Sequence, residues 1–136
     1  MVRPICKDTI FLSQKSEPAT KADAAVVQDL LDTLQANREY CVGMAANMIG
    51  VKKNIIVINT GFFHMVMINP VIIKKDTLYE AEEGCLSLSG VRRTKRYHNI
   101  QVEFQDQNFK KRRQEYSGWV AQIIQHECDH LQGILI

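Results

Sequence analysis

The pattern His126-Glu-Cys-Asp-His130, close to the carboxyl end, constrains the fold more than any other stretch of the chain. If this segment is helical, His126 and His130 lie one turn apart on one face, where two imidazoles can converge on one metal ion. Glu127 lies beside that face, where a carboxylate can take a proton from water and pass it to a leaving group. The alternative is a solvated helix face that carries two histidines by chance. The metal hypothesis therefore needs a third ligand from elsewhere in the chain.

The composition of the 136 residues is that of an ordinary globular protein, with 46% hydrophobic and 24% charged residues. A chain of this length is expected to form a single domain over residues 1–136, with a core that needs no disulfide. Its four cysteines are widely spaced and include no CxxC pair. This spacing favours buried thiols, with at most one functional sulfur, over a scaffold with two disulfides.

Charge and hydropathy argue against nucleic acids and membranes as partners. The net charge is only +2, and the basic clusters at 92–96 and 110–113 lie beside alternating apolar residues. We interpret both clusters as solvated strand faces and turns, with phosphate-binding patches as the alternative. No apolar stretch approaches the roughly 20 residues of a membrane span, and the first residues lack the apolar core of a signal peptide. We therefore expect a cytoplasmic protein.

The first third of the chain is predicted to carry an arm and a helix. Residues 1–19 contain two prolines and are predicted to form an extended arm on the surface. A capping box begins at Thr20, and the apolar residues behind it recur at helical spacing. Residues 21–37 are therefore predicted to form an N-terminal amphipathic helix, followed by a loop of small residues up to Gly50.

The rest of the chain predicts strands first and the metal-binding helix last. The predicted strands are residues 54–58, 65–74, 100–105 and 109–116, the second of them broken by Pro70. Gly118 is predicted to open the last helix and Gly133 to cap it. The predicted buried side of that helix consists of Trp119, Val120, Ile123, Ile124 and Leu131. The expected fold class is α+β, with largely antiparallel β-sheets packed around the C-terminal helix.

The third metal ligand must come from upstream, because the six residues after His130 include no histidine or carboxylate. Cys85 is the best candidate, since it follows a glycine in a predicted tight turn where a thiolate could face the helix. His64 and His98 are rivals, although each falls in a strand or surface context that is typical of an ordinary histidine.

Three segments resemble the three signature motifs of peptide deformylases, in the same order and at similar spacing. They are Gly43-Met-Ala-Ala46, Glu83-Gly-Cys-Leu-Ser87 and Gln125-His-Glu-Cys-Asp-His130. The resemblance implies a hydrolase that removes the N-terminal formyl group from nascent polypeptides beginning with formylmethionine, and releases formate. It also implies one divalent metal, natively Fe²⁺, that is held by Cys85, His126 and His130 beside Glu127 as general acid and base. Zn²⁺, Ni²⁺ and Co²⁺ accept the same donors.

The resemblance also implies a substrate-binding site. The N–H of Leu86 would stabilise the oxyanion together with the side chain at position 48. The backbone of Gly43 would pair with the peptide as an added strand. Val42 and Ile123 would line an apolar pocket for the methionine side chain, although plain core packing explains Ile123 equally well. The implied partners are an N-formylmethionyl peptide and, transiently, the ribosome.

The first motif departs from the family pattern at two positions. Cys41 occupies the place of its first glycine, and Met48 occupies the place of a glutamine. A thioether cannot donate a hydrogen bond, and loss of one oxyanion donor typically costs about 10²–10³ in rate. One alternative is therefore a binding or regulatory protein with an intact metal site and little turnover. A general HExxH peptidase is a second alternative, disfavoured because its third ligand would be a cysteine.

Overall fold

The computed structural model describes residues 1–136 and has an α+β architecture, with one antiparallel sheet and a C-terminal helix. The five strands lie in chain order across the sheet: β1 Gly43–Ala45, β2 Ile55–Asn59, β3 His64–Cys85, β4 Leu88–Gln105 and β5 Lys111–Ser117. The α-helices are α1 Thr9–Leu12, α2 Ala24–Ala36 and α3 Gly118–Leu131, with 3₁₀ turns at Lys21–Asp23 and Ala46–Ile49. No helix has both the length and the hydropathy that crossing a bilayer demands.

The N-terminal segment is not the extended surface arm that its prolines predicted. It contains the short helix α1, which begins after Asp8, whose carboxylate accepts hydrogen bonds from the N–H groups of Ile10 and Phe11. Leu12, at the end of this turn, is fully buried. Burial of this one apolar side chain stabilises a packed turn in place of an arm.

Helix α2 follows the capping box at Thr20, whose side chain and that of Asp23 cap each other's backbone. The box closes a 3₁₀ turn over Lys21–Asp23, and the α-helix starts at Ala24, after the turn. The face formed by Val27, Leu30 and Leu34 is buried.

Strand β2 lies at the centre of the core because both of its faces are covered. Ile55 and Val57 belong to the apolar cluster that includes residues of α2, whereas Ile56 and Ile58 belong to the cluster that includes residues of α3. Alternate residues of a strand point to opposite faces, so a continuous apolar run fits a strand with helices on both sides. The strand prediction at residues 54–58 is confirmed, one residue later than expected.

Strand β3 continues through Pro70, where the sequence predicted a break. The register with β4 shifts between Ile68 and Val71, and Asn69 adopts a left-handed conformation with φ of 52°. The Asn69 side chain accepts a hydrogen bond from the N–H of Ala19 and donates one to its carbonyl oxygen. This irregularity accommodates a residue without an N–H group, so the strand resumes after the proline.

Helix α3 covers the sheet with one face and ends at a glycine cap. Trp119 is 51% exposed, so its predicted place on the buried side of the helix is wrong. The tryptophan instead lines the cleft between β1, the end of β3 and α3. Gly133 has φ of 78°, and its N–H binds the carbonyl oxygen of His130, as expected for a helix cap.

Gly133→Ala is expected to lower the free energy of unfolding by about 1–3 kcal/mol, because alanine is strained at this φ. A Cβ atom there would also lie 2.4 Å from the carbonyl oxygen of Ser13. Gly61→Ala is the matched control, since Gly61 has φ of 92° and nothing lies near its Cβ position. Urea denaturation of both variants should show the larger loss at Gly133. Equal losses would mean that the contact with Ser13 contributes nothing.

Candidate metal centre and active site

Cys85, His126 and Glu127 line a cleft of about 450 Å³ between β1, the end of β3 and helix α3, and His130 is fully buried next to His126. The strand β1 contributes Gly43, the last residue of β3 is Cys85, and α3 contributes His126 and Glu127. Segments that are more than 80 residues apart in the chain therefore meet at one place. A tight turn of two residues follows Cys85, whose sulfur lies near the two histidines of α3.

Cys85, His126 and His130 form one cluster in which the ligand atoms lie within 4.8 Å of one another. The Nε2 atoms of the two histidines are 3.0 Å apart. They face each other because residues four apart lie on the same side of a helix. One thiolate and two imidazoles that converge in this way suit a divalent transition metal with one open coordination position.

The rival histidines lie outside this cluster. His64 is at the start of β3, opposite Asn59 in the sheet register. His98 stacks on Tyr79, with ring centroids 4.1 Å apart. Cys128 lines a different cleft, and burial raises the pKa of its thiol to about 12.

Glu83 orients the ring of His126 through a contact with its Nδ1 atom. Its Oε1 atom lies 2.7 Å from Nδ1 of His126, which leaves the Nε2 atom of that ring directed at His130. Histidines that ligate a metal commonly donate their other N–H to a carboxylate in this way. Gln122 also donates a hydrogen bond to the Glu83 carboxylate, at 3.0 Å.

Arg96 holds the Glu83 carboxylate in place through a buried ion pair. Its guanidinium donates to both carboxylate oxygens of Glu83, at 2.7 and 2.9 Å, and to Asp129 at 2.7 Å. Only 3% of Arg96 is exposed, so the interpretation of the whole 92–96 cluster as solvated is wrong at this position. Extending the alternation of Ile100 and Val102 back along β4 places Arg96 on the core side, a signal that was present in the sequence.

Within the cluster, the pKa values of neighbouring groups shift in opposite directions. Burial alone would raise the pKa of Glu83, but hydrogen bonds from His126 and Arg96 outweigh it and lower that pKa to about 2. Burial alone would lower the pKa of His126, but hydrogen bonds to Cys85 and Glu83 raise it to about 10. For His130, burial and the charge of His126 lower the pKa to about 3. A neutral His130 is ready to act as a ligand.

Glu127 is almost fully buried beside the cluster. Burial raises the pKa of its carboxyl to about 7, and its Oε1 atom has no hydrogen-bond partner. A Cβ atom at Gly43 would lie 3.0 Å from Oε2 of Glu127 and 2.7 Å from the side chain of Ile123. Glycine at this position therefore lets α3 approach β1 and brings the carboxylate to the cleft.

The remaining predicted residues all line the same cleft. Val42, Met48, Leu86 and Ile123 are among its walls. Val42 is partly exposed, whereas Met48 is buried. Ile123 also packs in the apolar cluster beneath α3, so both interpretations of this residue apply.

Cys41 lines the cleft as well, at the place of a motif glycine. Its thiol donates a hydrogen bond to the carbonyl oxygen of Gly43 at 2.8 Å. Burial, together with the charge of Glu127, raises the pKa of this thiol to about 12.

Comparison with known proteins gives the same family along the whole chain. A family model described as polypeptide deformylase matches residues 2–136. The chain belongs to the peptide deformylase family. It is 60% identical over 136 residues to the peptide deformylase of Clostridium beijerinckii, with 100% of both chains covered. It is 39% identical to peptide deformylase 2 of Clostridium acetobutylicum, covering 92% of this chain and 85% of that one.

Solved deformylase structures share the fold. The crystal structure of the peptide deformylase from Thermus thermophilus matches with a TM-score of 0.88 at 35% identity, covering 98% of this chain and 83% of the other. The Thermotoga maritima enzyme matches with a TM-score of 0.89 at 29% identity, covering 99% and 95% of the two chains. The resemblance inferred from the three motifs is confirmed. Deformylases are metal-dependent hydrolases, so the comparisons favour an enzyme over a binding protein.

Proposed function

We propose that this deformylase removes the formyl group from N-formylmethionyl peptides and releases formate, with Cys85, His126 and His130 as its metal ligands. The convergence of their three donor atoms within 4.8 Å, with Cys85 and His126 lining an open cleft, is the observation that carries the proposal. Fe²⁺ is the proposed native metal, and Zn²⁺, Ni²⁺ and Co²⁺ are accepted by the same donors. When bound, such an ion acts as a Lewis acid that polarises a carbonyl oxygen and lowers the pKa of water.

Glu127 is the proposed general base and acid. Its carboxylate accepts a proton from water that attacks the formyl carbon, and it returns that proton to the departing amine. The raised pKa of its buried carboxyl, about 7, suits a group that both takes up and releases a proton near neutral pH. Water plus the formyl amide thus gives formate and a free amino terminus, with no group left over.

The peptide is proposed to bind along β1. This strand is the first in the sheet order and pairs only with β2, so its other side is free to receive an added strand. Gly43 would supply backbone hydrogen bonds that do not depend on the peptide's side chains. Val42 and Ile123 would hold the methionine side chain, and the N–H of Leu86 would meet the oxyanion.

Met48→Gln is expected to raise kcat by about 10²–10³-fold, because it would supply an oxyanion donor that the thioether lacks. Met48 is buried and lines the cleft with Cys85, so a glutamine of similar length should reach the same space. Met48→Leu keeps the size and adds no donor, so its rate should stay near that of the wild type. The measurement is formate release from a formyl-Met peptide. A fast wild type that gains nothing from the glutamine would contradict this account of Met48.

We infer the location and the partners of the protein as follows. A substrate that emerges during translation favours a cytoplasmic location and transient contact with the ribosome. The family match over residues 2–136 supports a single domain spanning the chain. The net charge of +2 favours no direct nucleic-acid partner.

A formate-release assay tests the proposed activity. Wild-type protein loaded anaerobically with Fe²⁺ should release one formate per formyl-Met-Ala-Ser tripeptide, with the peptide bonds left intact. Its unformylated counterpart, Met-Ala-Ser, is the matched substrate and should be unchanged. Cleavage of internal bonds in the unformylated peptide would support the HExxH peptidase instead. Tight peptide binding with no formate from either the wild type or Met48→Gln would support the binding protein.

A further inference from the structure

The two histidines of the cluster differ in the hydrogen-bond partner of their Nδ1 atom. Nδ1 of His126 has the carboxylate of Glu83 at 2.7 Å. Nδ1 of His130 is buried and has no hydrogen-bond partner. A histidine that ligates a metal through one nitrogen commonly donates its other N–H, which fixes the orientation of the ring. His130 therefore needs an acceptor that Glu83 does not provide.

Asn47 contacts His130 and carries a free acceptor. The side chain of Asn47 is fully buried, and its Nδ2 donates to the carbonyl oxygen of His130 at 2.9 Å across 83 positions of the chain. Its Oδ1 atom is buried and has no partner. Six buried side-chain atoms lack partners, and among their residues only Asn47 donates a side-chain hydrogen bond to His130.

We propose that Asn47 is a positioning residue for the metal: when the ion is bound, Oδ1 of Asn47 would accept a hydrogen bond from Nδ1–H of His130 and so fix the orientation of that ring. The inference rests on the ligand set proposed above. One amide would then hold both the backbone and the ring of His130. An unpartnered acceptor and an unpartnered donor are complementary, and leaving either of them buried without a partner is unfavourable.

This arrangement links the first motif to the metal site through a side chain. Asn47 lies in the 3₁₀ turn Ala46–Ile49 and directly precedes Met48, which lines the cleft. The same short turn would thus orient the ring of His130 and place the side chain of Met48 in the cleft. Glu83 and Asn47 would act as matched partners of the two histidines, one as a carboxylate and one as an amide.

Two substitutions at position 47 separate orientation of the ring from general support of the fold. Asn47→Leu removes both hydrogen bonds at similar volume, whereas Asn47→Asp keeps an acceptor for Nδ1–H and loses the donor to the carbonyl oxygen. Competition with a chelator should show Zn²⁺ binding weakened about 10–100-fold in Asn47→Leu. Asn47→Asp should stay within a few-fold of the wild type. Asn54→Leu is the control, since Asn54 has an unpartnered buried Oδ1 and lines a different cleft.

Proton NMR of the zinc-loaded protein gives a readout that a merely structural role would not move. The wild type and Asn47→Asp should show a slowly exchanging Nδ1–H signal from His130, which Asn47→Leu should lose. Absence of that signal in the wild type would overturn the inference, even if Asn47→Leu failed to fold. Its survival in Asn47→Leu, or equal losses of zinc affinity in the two variants, would also overturn it. Zinc binding that is unchanged in Cys85→Ala would instead refute the ligand set.

Discussion

Glu127→Gln is expected to lower the rate of formate release by about 10²–10⁴-fold, the usual contribution of a positioned general acid or base. Glutamine keeps the volume of the side chain, so its close approach to Gly43 should persist. It cannot take up a proton at any pH that the protein tolerates. The loss should therefore fall on kcat, with little change in the binding of peptide.

The control for Glu127 is the metal content. Glu127 is not among the three clustered ligands, so Glu127→Gln should retain one ion per chain. Cys128→Ala, the next position in α3, changes a residue outside the active-site cleft and should keep its activity within a few-fold. A Glu127→Gln variant that turns over at the wild-type rate with full metal would show that another group moves the proton.

Glu83→Ala is expected to lower the free energy of unfolding by about 3–5 kcal/mol, because it leaves a buried guanidinium without its main partner. Arg96 donates to both oxygens of Glu83 and retains Asp129 as its one carboxylate partner in the variant. His126 loses its orienting acceptor at the same time, so metal affinity should also fall, by about 10–100-fold. Denaturant unfolding and chelator competition measure the two effects separately.

The neighbouring Glu82 provides the matched control for Glu83. It lies on the opposite face of β3, where its pair with Arg93 is exposed on both sides and 3.6 Å long. Exposed pairs of this kind are worth about 0–1 kcal/mol, so Glu82→Ala should leave stability and metal affinity nearly unchanged. Similar losses in the two alanine variants would contradict the role assigned to the buried network.

Acid titration of stability should also depend on Glu83. Its pKa in the folded protein, about 2, lies below the ordinary value of 4.5. The stability it contributes is therefore fully present above about pH 4.5 and is lost as the pH falls towards 2. Between these values the wild type should lose stability more steeply than Glu83→Ala. Parallel curves would mean that Glu83 has the same pKa in the folded and unfolded chains.

Local patterns in the sequence were sufficient for most of the elements. The alternation of Ile100 and Val102 predicted a strand over 100–105, which is only the last part of β4, and the run at 54–58 predicted a buried strand. These patterns depend only on which face each residue takes. The spacing of His126 and His130 predicted a shared helix face for the same reason. The structure places both in α3, 3.0 Å apart at their Nε2 atoms.

The sequence predictions were wrong where contacts between distant residues determine burial or strand continuity. Arg96 lies in a basic run that is typical of a surface. The alternation along β4 places it on the core side, but the carboxylates of Glu83 and Asp129 that pair with it come from distant parts of the chain. Pro70 predicted a strand break, but hydrogen bonds between Asn69 and Ala19, 50 positions away, stabilise an irregular strand. The contact between Asn47 and His130 is of the same kind, because neither residue's surroundings in the sequence indicate it.

Metal analysis of Cys85→Ala beside Cys128→Ala tests the ligand set most directly. Both variants remove one partly buried thiol, but only Cys85 belongs to the cluster with His126 and His130. After loading with Zn²⁺ and exhaustive dialysis, the wild type and Cys128→Ala should each hold one ion per chain, and Cys85→Ala should hold almost none. Full zinc in Cys85→Ala would contradict the assignment, since the two histidines would then bind the ion without the sulfur.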